Sequence, residues 1–201
     1  MSDIYFTLAV EDRLSEAVAR KILNQIDPSL HVGQCLCKGG QGYLKTNINA
    51  FNKAANSIPF FVLTDQDKGC PPTIIAKWLK HKANKYLIFR IAVVEIESWI
   101  LAHRDAFAEF LSISPTLIPN NTDSIKDPKQ HILSIASRSR SNRLKSDIIP
   151  KTGSTAQIGP DYNNRLMQFV KDHWNATEAS VNSESLNRAM NRIKQFKDQY
   201  K

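Results

Sequence analysis

Ile4-Tyr5-Phe6-Thr7-Leu8-Ala9-Val10-Glu11-Asp12 decides the fold. Seven β-prone, mostly apolar residues have the profile of a buried strand, and two acids end it abruptly. Leu14, Ala17, Val18, Ile22 and Ile26 then recur at three- and four-residue intervals, which predicts an amphipathic helix over about 13–26. Asp27-Pro28-Ser29 stops that helix. The same pairing repeats three times. His31 to Cys37 reads as a strand, Lys38-Gly39-Gly40-Gln41-Gly42 as a loop, and Leu44, Ile48, Phe51 and Ala55 as one side of a helix. Phe60 to Leu63 is a third strand, Thr64 to Gly69 a polar loop, and Pro71-Pro72 the start of a helix to about Lys82. Tyr86 to Val94 is a fourth strand, and Ile96, Trp99, Ile100, Phe107, Phe110 and Leu111 mark one further helix. Fourfold strand–helix alternation predicts an α/β fold, an open parallel sheet of about four strands with helices on both faces, joined by right-handed crossovers.

After about Ser114 the alternation stops. Pro115, Pro119, Asn120, Asn121 and Pro128 interrupt it, and helices are expected over Gln130 to Ala136, near 162–172 and near 183–197, with a loop from Lys151 to Tyr162. The chain therefore divides into an α/β core over 1–113 and a mostly helical, basic extension over 114–201 packed on it.

With 201 residues, 42% of them hydrophobic, the chain has enough apolar side chains for an ordinary core. Its 27 basic residues exceed its 19 acidic ones, giving +8, so polyanions are the natural partners and DNA or RNA heads that class. Cys35, Cys37 and Cys70 form neither a disulfide framework nor a zinc set. No signal peptide and no apolar run of membrane-spanning length is present, so a cytoplasmic protein without membrane contact is expected.

In an open parallel sheet, ligands bind beyond the carboxyl ends of the strands. Glu11 ends strand one, Asp65 and Asp67 follow strand three, and Glu95 and Glu97 follow strand four. Five acids from three distant stretches thus converge on one edge. In extended backbone Asp65 and Asp67 point the same way, whereas Glu95 and Glu97 do so only if the strand runs through both; if a helix starts first, one of them reaches the site. Clustered carboxylates repel one another unless a cation compensates, and hard oxygen ligands suit Mg²⁺ or Mn²⁺. Glu11, Asp65, Asp67 and Glu97 are the candidate metal ligands. A solvated loop, or capping of the third helix by Asp65 or Asp67, is the bland alternative for any one acid.

Ala9-Val10-Glu11 followed by Leu63-Thr64-Asp65-Gln66-Asp67 resembles the Toprim domain. Val94-Glu95-Ile96-Glu97-Ser98-Trp99 is similar to the acidic helix start in Toprim nucleases of the overcoming-lysogenization-defect type. The resemblance covers about residues 4 to 111 and implies four parallel strands, a glutamate after the first and an Asp-x-Asp after the third. It also implies metal-dependent cleavage of nucleic acid. Some relatives serve in phage defence, and the nucleases usually work with an ATPase domain, which makes a partner ATPase or a homo-oligomer the expected assembly. Asp12 stands where the family has glycine.

Three other features bear on function. Gly39 to Thr46 has the context of a phosphate-binding loop, but Leu44 occupies the position of its second glycine, so a tight turn is the better reading. Arg138, Arg140, Arg143 and Lys145 lie within eight residues free of acids, interleaved with serines and an asparagine, as a phosphate backbone requires. Lys68 or Lys151 is the candidate to neutralise a scissile phosphate. The expected function is a metal-dependent phosphodiesterase, a nuclease in which Glu11, Asp65, Asp67, Glu95, Glu97 and Lys151 carry the chemistry and no protein nucleophile is needed. The rivals are a non-catalytic nucleic-acid or partner-binding module, and a nucleotide-handling enzyme built on the glycine loop.

Overall fold

A computed structural model describes residues 3–66 and 69–200. Asp67 and Lys68, both singled out above, lie outside the described residues. The chain is α/β, with one four-stranded, all-parallel sheet in the order β2-β1-β3-β4. The strands are β1 (Ile4–Val10), β2 (Leu30–Cys37), β3 (Phe60–Asp65) and β4 (Leu87–Ala92). The helices between them are α1 (Arg13–Ile26), α2 (Gly40–Ala54) and α3 (Pro71–Trp78).

Strand alternation sends successive side chains to opposite faces. Phe60 and Val62 of β3, with Phe89 and Ile91 of β4, pack under Leu44, Ile48 and Phe51 of α2 and Ile74 and Trp78 of α3. Phe61 and Leu63, with Phe6 and Leu8 of β1, face the opposite layer. There α1 lies beside α4 (Ile96–Leu101) and α10 (Glu184–Gln199). The remaining helices are α5 (Arg104–Leu111), α6 (Pro128–Ala136), α7 (Asn142–Ile148), α8 (Tyr162–Asp172) and α9 (Ala176–Ala179). No described helix is long and apolar enough to cross a membrane.

The larger core cluster draws on both halves of the chain. The rings of Phe6 and Phe196 lie 5.0 Å apart. The indole Nε1 of Trp174 donates to the Trp99 carbonyl at 3.0 Å, and that of Trp99 donates to Ser185 Oγ at 2.7 Å. The extension is therefore one cover of the sheet and not an appendage.

Several expected boundaries move. β3 runs two residues further, through Thr64 and Asp65, because Asp65 keeps its register with Ala92 of β4. α2 begins within the expected glycine loop: Gly39, at φ 76°, turns the chain in a conformation that favours glycine, and Gly40, Gln41 and Gly42 already belong to the first turn. α3 stops at Trp78, and β4 is shorter than Tyr86 to Val94. The single helix expected after β4 is two helices, broken at Ala102-His103. α7, not expected, carries Arg143 and Lys145. α8 coincides with 162–172.

Trp174 is buried and joins the second half to α4 through the Trp99 carbonyl. Trp174→Ala should destabilise the protein by about 3–5 kcal/mol in urea unfolding, as large-to-small core changes do. A loss below about 1 kcal/mol would mean that the extension docks without sharing the core.

Candidate active site

The β1-to-α1 and β3-to-α3 connections leave the sheet side by side, because β1 and β3 are neighbours. Glu11 therefore meets the end of β3. Its Oε1 accepts from the backbone N–H of Asp65 at 2.8 Å and from the hydroxyl of Thr64. Asp12 takes the N-cap of α1, accepting from Ser15 N–H at 2.8 Å. Asp65 closes β3, and its Oδ1 accepts from the Ile96 N–H at 2.9 Å, the entry to α4. Glu95 is the residue before α4, and Glu97, in its first turn, is 3% exposed.

β4 ends at Ala92 and α4 starts at Ile96, so neither glutamate extends the strand, yet both lie close enough to Asp65 for their charges to act on it. Lys129, in the first turn of α6, lies 3.9 Å from Glu95 Oε1 and 3.6 Å from Glu97 Oε1, and its own N–H donates to Glu95 Oε2 at 3.2 Å. The buried Tyr162 hydroxyl donates to Glu97 Oε1 at 3.3 Å.

The electrostatics follow from this crowding. Burial holds the Asp65 carboxyl well above its ordinary value, and the charges of Glu11, Glu97, Asp12 and Glu95 push it further in the same direction. Burial also raises Glu97 despite the opposing Lys129 ammonium. Burial alone would lower Lys129, but Glu97 and Glu95 hold it above its ordinary value. Burial and the neighbouring Glu97 raise the Tyr162 phenol, keeping it a neutral donor.

Fit to a divalent cation rests on the donor set. Glu11 and Asp65 each have one oxygen anchored, while no described residue donates to the other oxygen. Among the described residues, no three His, Cys, Asp or Glu side chains are grouped so as to hold a metal ion. Mg²⁺ keeps several waters and is commonly held by one or two carboxylates. Glu11 and Asp65 are such a pair, with Asp67 outside the described residues.

Lys151 is exposed in the α7–α8 loop and forms no ion pair with a described residue, whereas Lys129 pairs with Glu95 and Glu97. Arg138, Arg140 and Arg143 are exposed and Lys145 is half-buried; none of the four makes an ion pair with a described residue. Arg138 and Arg140 border a cavity of about 510 Å³ beside Glu109 of α5. Arg138 lies just beyond the C-terminal end of α6, whereas Lys129 lies in its first turn. The glycine turn does open on the acidic edge, because the Gln41 amide donates to the Asp65 carbonyl at 3.3 Å.

Lys129 and Tyr162 are the members that sequence reasoning missed. Asp127-Pro128 marks a helix start and so puts Lys129 in a first turn, but nothing local says which strand end that turn will face.

Fold and site together define an α/β protein with a carboxylate-rich strand edge flanked by the half-exposed Lys129. No family model, no curated protein and no solved structure matches the chain.

Lys129→Met should cost about 1–3 kcal/mol at pH 8, less than a fully buried pair because Lys129 is 38% exposed. At pH 5 the cost should shrink, since a carboxyl with a raised pKa is more readily neutral there. Equal losses in urea at both pH values would contradict the pairing.

Proposed function

We propose that this chain is a metal-dependent phosphodiesterase acting on nucleic acid, a nuclease of Toprim type. What carries the reading is Asp65: a partly buried carboxylate at a strand end, crowded by Glu11, Glu95, Glu97 and Asp12, with one oxygen unclaimed by any described residue. Such crowding disfavours the apo state at neutral pH and favours any divalent cation that relieves it. Glu11 and Asp65 would hold Mg²⁺ or Mn²⁺, with Asp67 and Glu97 as further ligands. A bound ion of this kind supplies Lewis-acid polarisation of a phosphoryl oxygen and a water of lowered pKa.

The protein's own groups have separate tasks. Thr64 and the Asp65 N–H fix the Glu11 carboxylate. Tyr162 and Lys129 fix Glu97. Lys129, which pairs with Glu95 and Glu97, would share the phosphate-neutralising role with Lys68 or Lys151. The net charge of +8 suits a polyanionic substrate. Phage defence and a partner ATPase or second copy belong to this reading through the family resemblance.

A non-catalytic nucleic-acid-binding module is the second reading.

Asp65→Asn keeps the shape and removes the charge. A carboxyl whose pKa is raised in the folded state binds its proton more tightly there. Its ionisation therefore costs stability as pH rises from the ordinary value of 3.8 through the raised one, and the cost is complete above it. At pH 8 the apo variant should melt at the same temperature as wild type or higher. It should also lose the Mn²⁺-dependent rise in melting temperature and any cleavage of DNA or RNA. Equal Mn²⁺ stabilisation of both proteins would remove Asp65 from the ligand set. Metal binding without cleavage of any substrate tested would favour the second reading.

The basic cluster has its own test. Changing Arg138, Arg140 and Arg143 together to alanine should lower the log–log salt slope of nucleic-acid binding, by roughly three units at most. An unchanged slope assigns these residues to an ordinary solvated face.

A further inference from the structure

Three cavities of about 430, 400 and 400 Å³ follow one another along the seam between α1 and α8. They share residues in sequence: Arg13 and Met167 join the first to the second, and Ala17, Arg20 and Met167 join the second to the third. They therefore form one groove. Its inner end is bordered by Asp12, which follows Glu11, and by Tyr162, whose hydroxyl bonds to Glu97. Its outer end reaches Lys21, Asn24 and Lys171. From Arg13 to Asn24 the groove spans eleven residues of helix, about 16 Å.

The charges are unequal along this line. Glu16 offsets Arg20 through a 2.8 Å bond. Arg13, Lys21 and Lys171 make no ion pair with any described residue, and the Lys21 ammonium donates to the Lys171 carbonyl at 2.7 Å. The floor is aliphatic, with Ala17, Met167 and Val170. Near the acidic edge Asn163 offers an amide that bonds to no described residue, and Asn164 bonds to Asp161 at 2.7 Å.

The inner wall is preformed. Gly159 N–H donates to the Ile148 carbonyl at 2.8 Å, and Asp161 N–H to that of Asp147 at 2.9 Å. A Cβ on Gly159 would sit 2.4 Å from the Asp147 carbonyl oxygen, so no other residue allows this approach. The guanidinium of Arg165 clamps Asp147 from the other side at 2.6 and 2.9 Å.

We propose that the α1–α8 groove is the track of a single nucleic-acid strand, which it leads onto the acidic edge at Asp12 and Tyr162. Arg13, Lys21 and Lys171 meet successive phosphates, the aliphatic floor takes sugars and base faces, and Asn163 meets the edge of the innermost base. The length accommodates about four nucleotides at stacked spacing. A duplex does not enter a furrow between two packed helices, whose axes lie about 8–10 Å apart. The substrate class is therefore single-stranded nucleic acid or an unpaired end. An acidic peptide shares the charge, but it has no reason to end on a cluster of carboxylates.

This rests on the phosphodiesterase reading for its direction, and the test separates the two. Binding of a short fluorescent oligothymidine is measured by anisotropy in EDTA, where no cleavage occurs. Arg13→Gln, Lys21→Gln and Lys171→Gln together should weaken binding at least tenfold and lower the log–log salt slope by about two units, three contacts at the single-strand value. A charge-matched control on the opposite face, Lys53→Gln, Lys77→Gln and Lys80→Gln, should stay within about twofold. Asn24→Cys carrying a photocrosslinker should capture the strand, and Lys53→Cys should not, a readout independent of the folding of the triple variant. Equal effects of both triple variants would overturn the proposal. So would capture at Lys53→Cys, equal binding of poly-glutamate, or no oligonucleotide binding by wild type. If wild type with Mn²⁺ cleaves nothing while the groove variant loses binding, the catalytic reading falls and the track stands. If cleavage occurs and groove variants bind normally, only the track falls.

Discussion

The constraint on which the rest depends is the enforced proximity of Asp65 to other carboxylates. Asp65 cannot move away, because its backbone keeps sheet register with Ala92 and its side chain accepts the N–H of Ile96. Glu11 cannot move away either, because the Asp65 N–H itself anchors it. One parallel pairing, β1 with β3, thus builds the like-charge repulsion into the fold. The protein offsets part of it on one flank, where Lys129 lies within 4 Å of Glu95 and Glu97. On the Glu11 flank no described cation does the same. Among the described residues the repulsion is thus offset on one flank only, and under the proposed function a divalent cation would relieve the rest.

The helical second half makes that arrangement rigid. α6 delivers Lys129 and α8 delivers Tyr162, and both helices are held through the core shared with the sheet. The Asp147–Arg165 pair and the close approach at Gly159 tie α7 to α8 and fix the wall from which Tyr162 projects. The cost of burying Glu97 is therefore met by residues far away in sequence, through a hydrogen bond and a half-exposed ion pair rather than through local helix capping.

Much of this was legible in the sequence. Hydrophobic periods of two and of three to four are dictated by backbone geometry, so the strand–helix order and the parallel sheet could be read directly from Ile4 to Leu111. The strand-end location of Glu11, Asp65, Glu95 and Glu97 followed from that order. What escaped reading depends on tertiary contact. Thr64 and Asp65 looked like loop because they are polar, and only pairing with β4 keeps them extended. Gly42 looked like loop because glycine is a poor helix former, yet it sits in a first turn where the cost is small. The break at His103 is held by the ring itself, whose Nδ1 accepts from Asn175 N–H at 3.0 Å, a partner 72 residues on. Lys129 and Tyr162 lie where the pattern had dissolved into prolines and asparagines, and no local signal reports which strand end a distant helix will face.

The measurement closest to the central claim is anomalous diffraction from a crystal soaked in Mn²⁺. A peak between Glu11 and Asp65, within about 2.3 Å of an oxygen of each, is the result the account predicts, close to the distances usual for small divalent ions on oxygen. Strong anomalous density at other surface carboxylates, with none between Glu11 and Asp65, would contradict it.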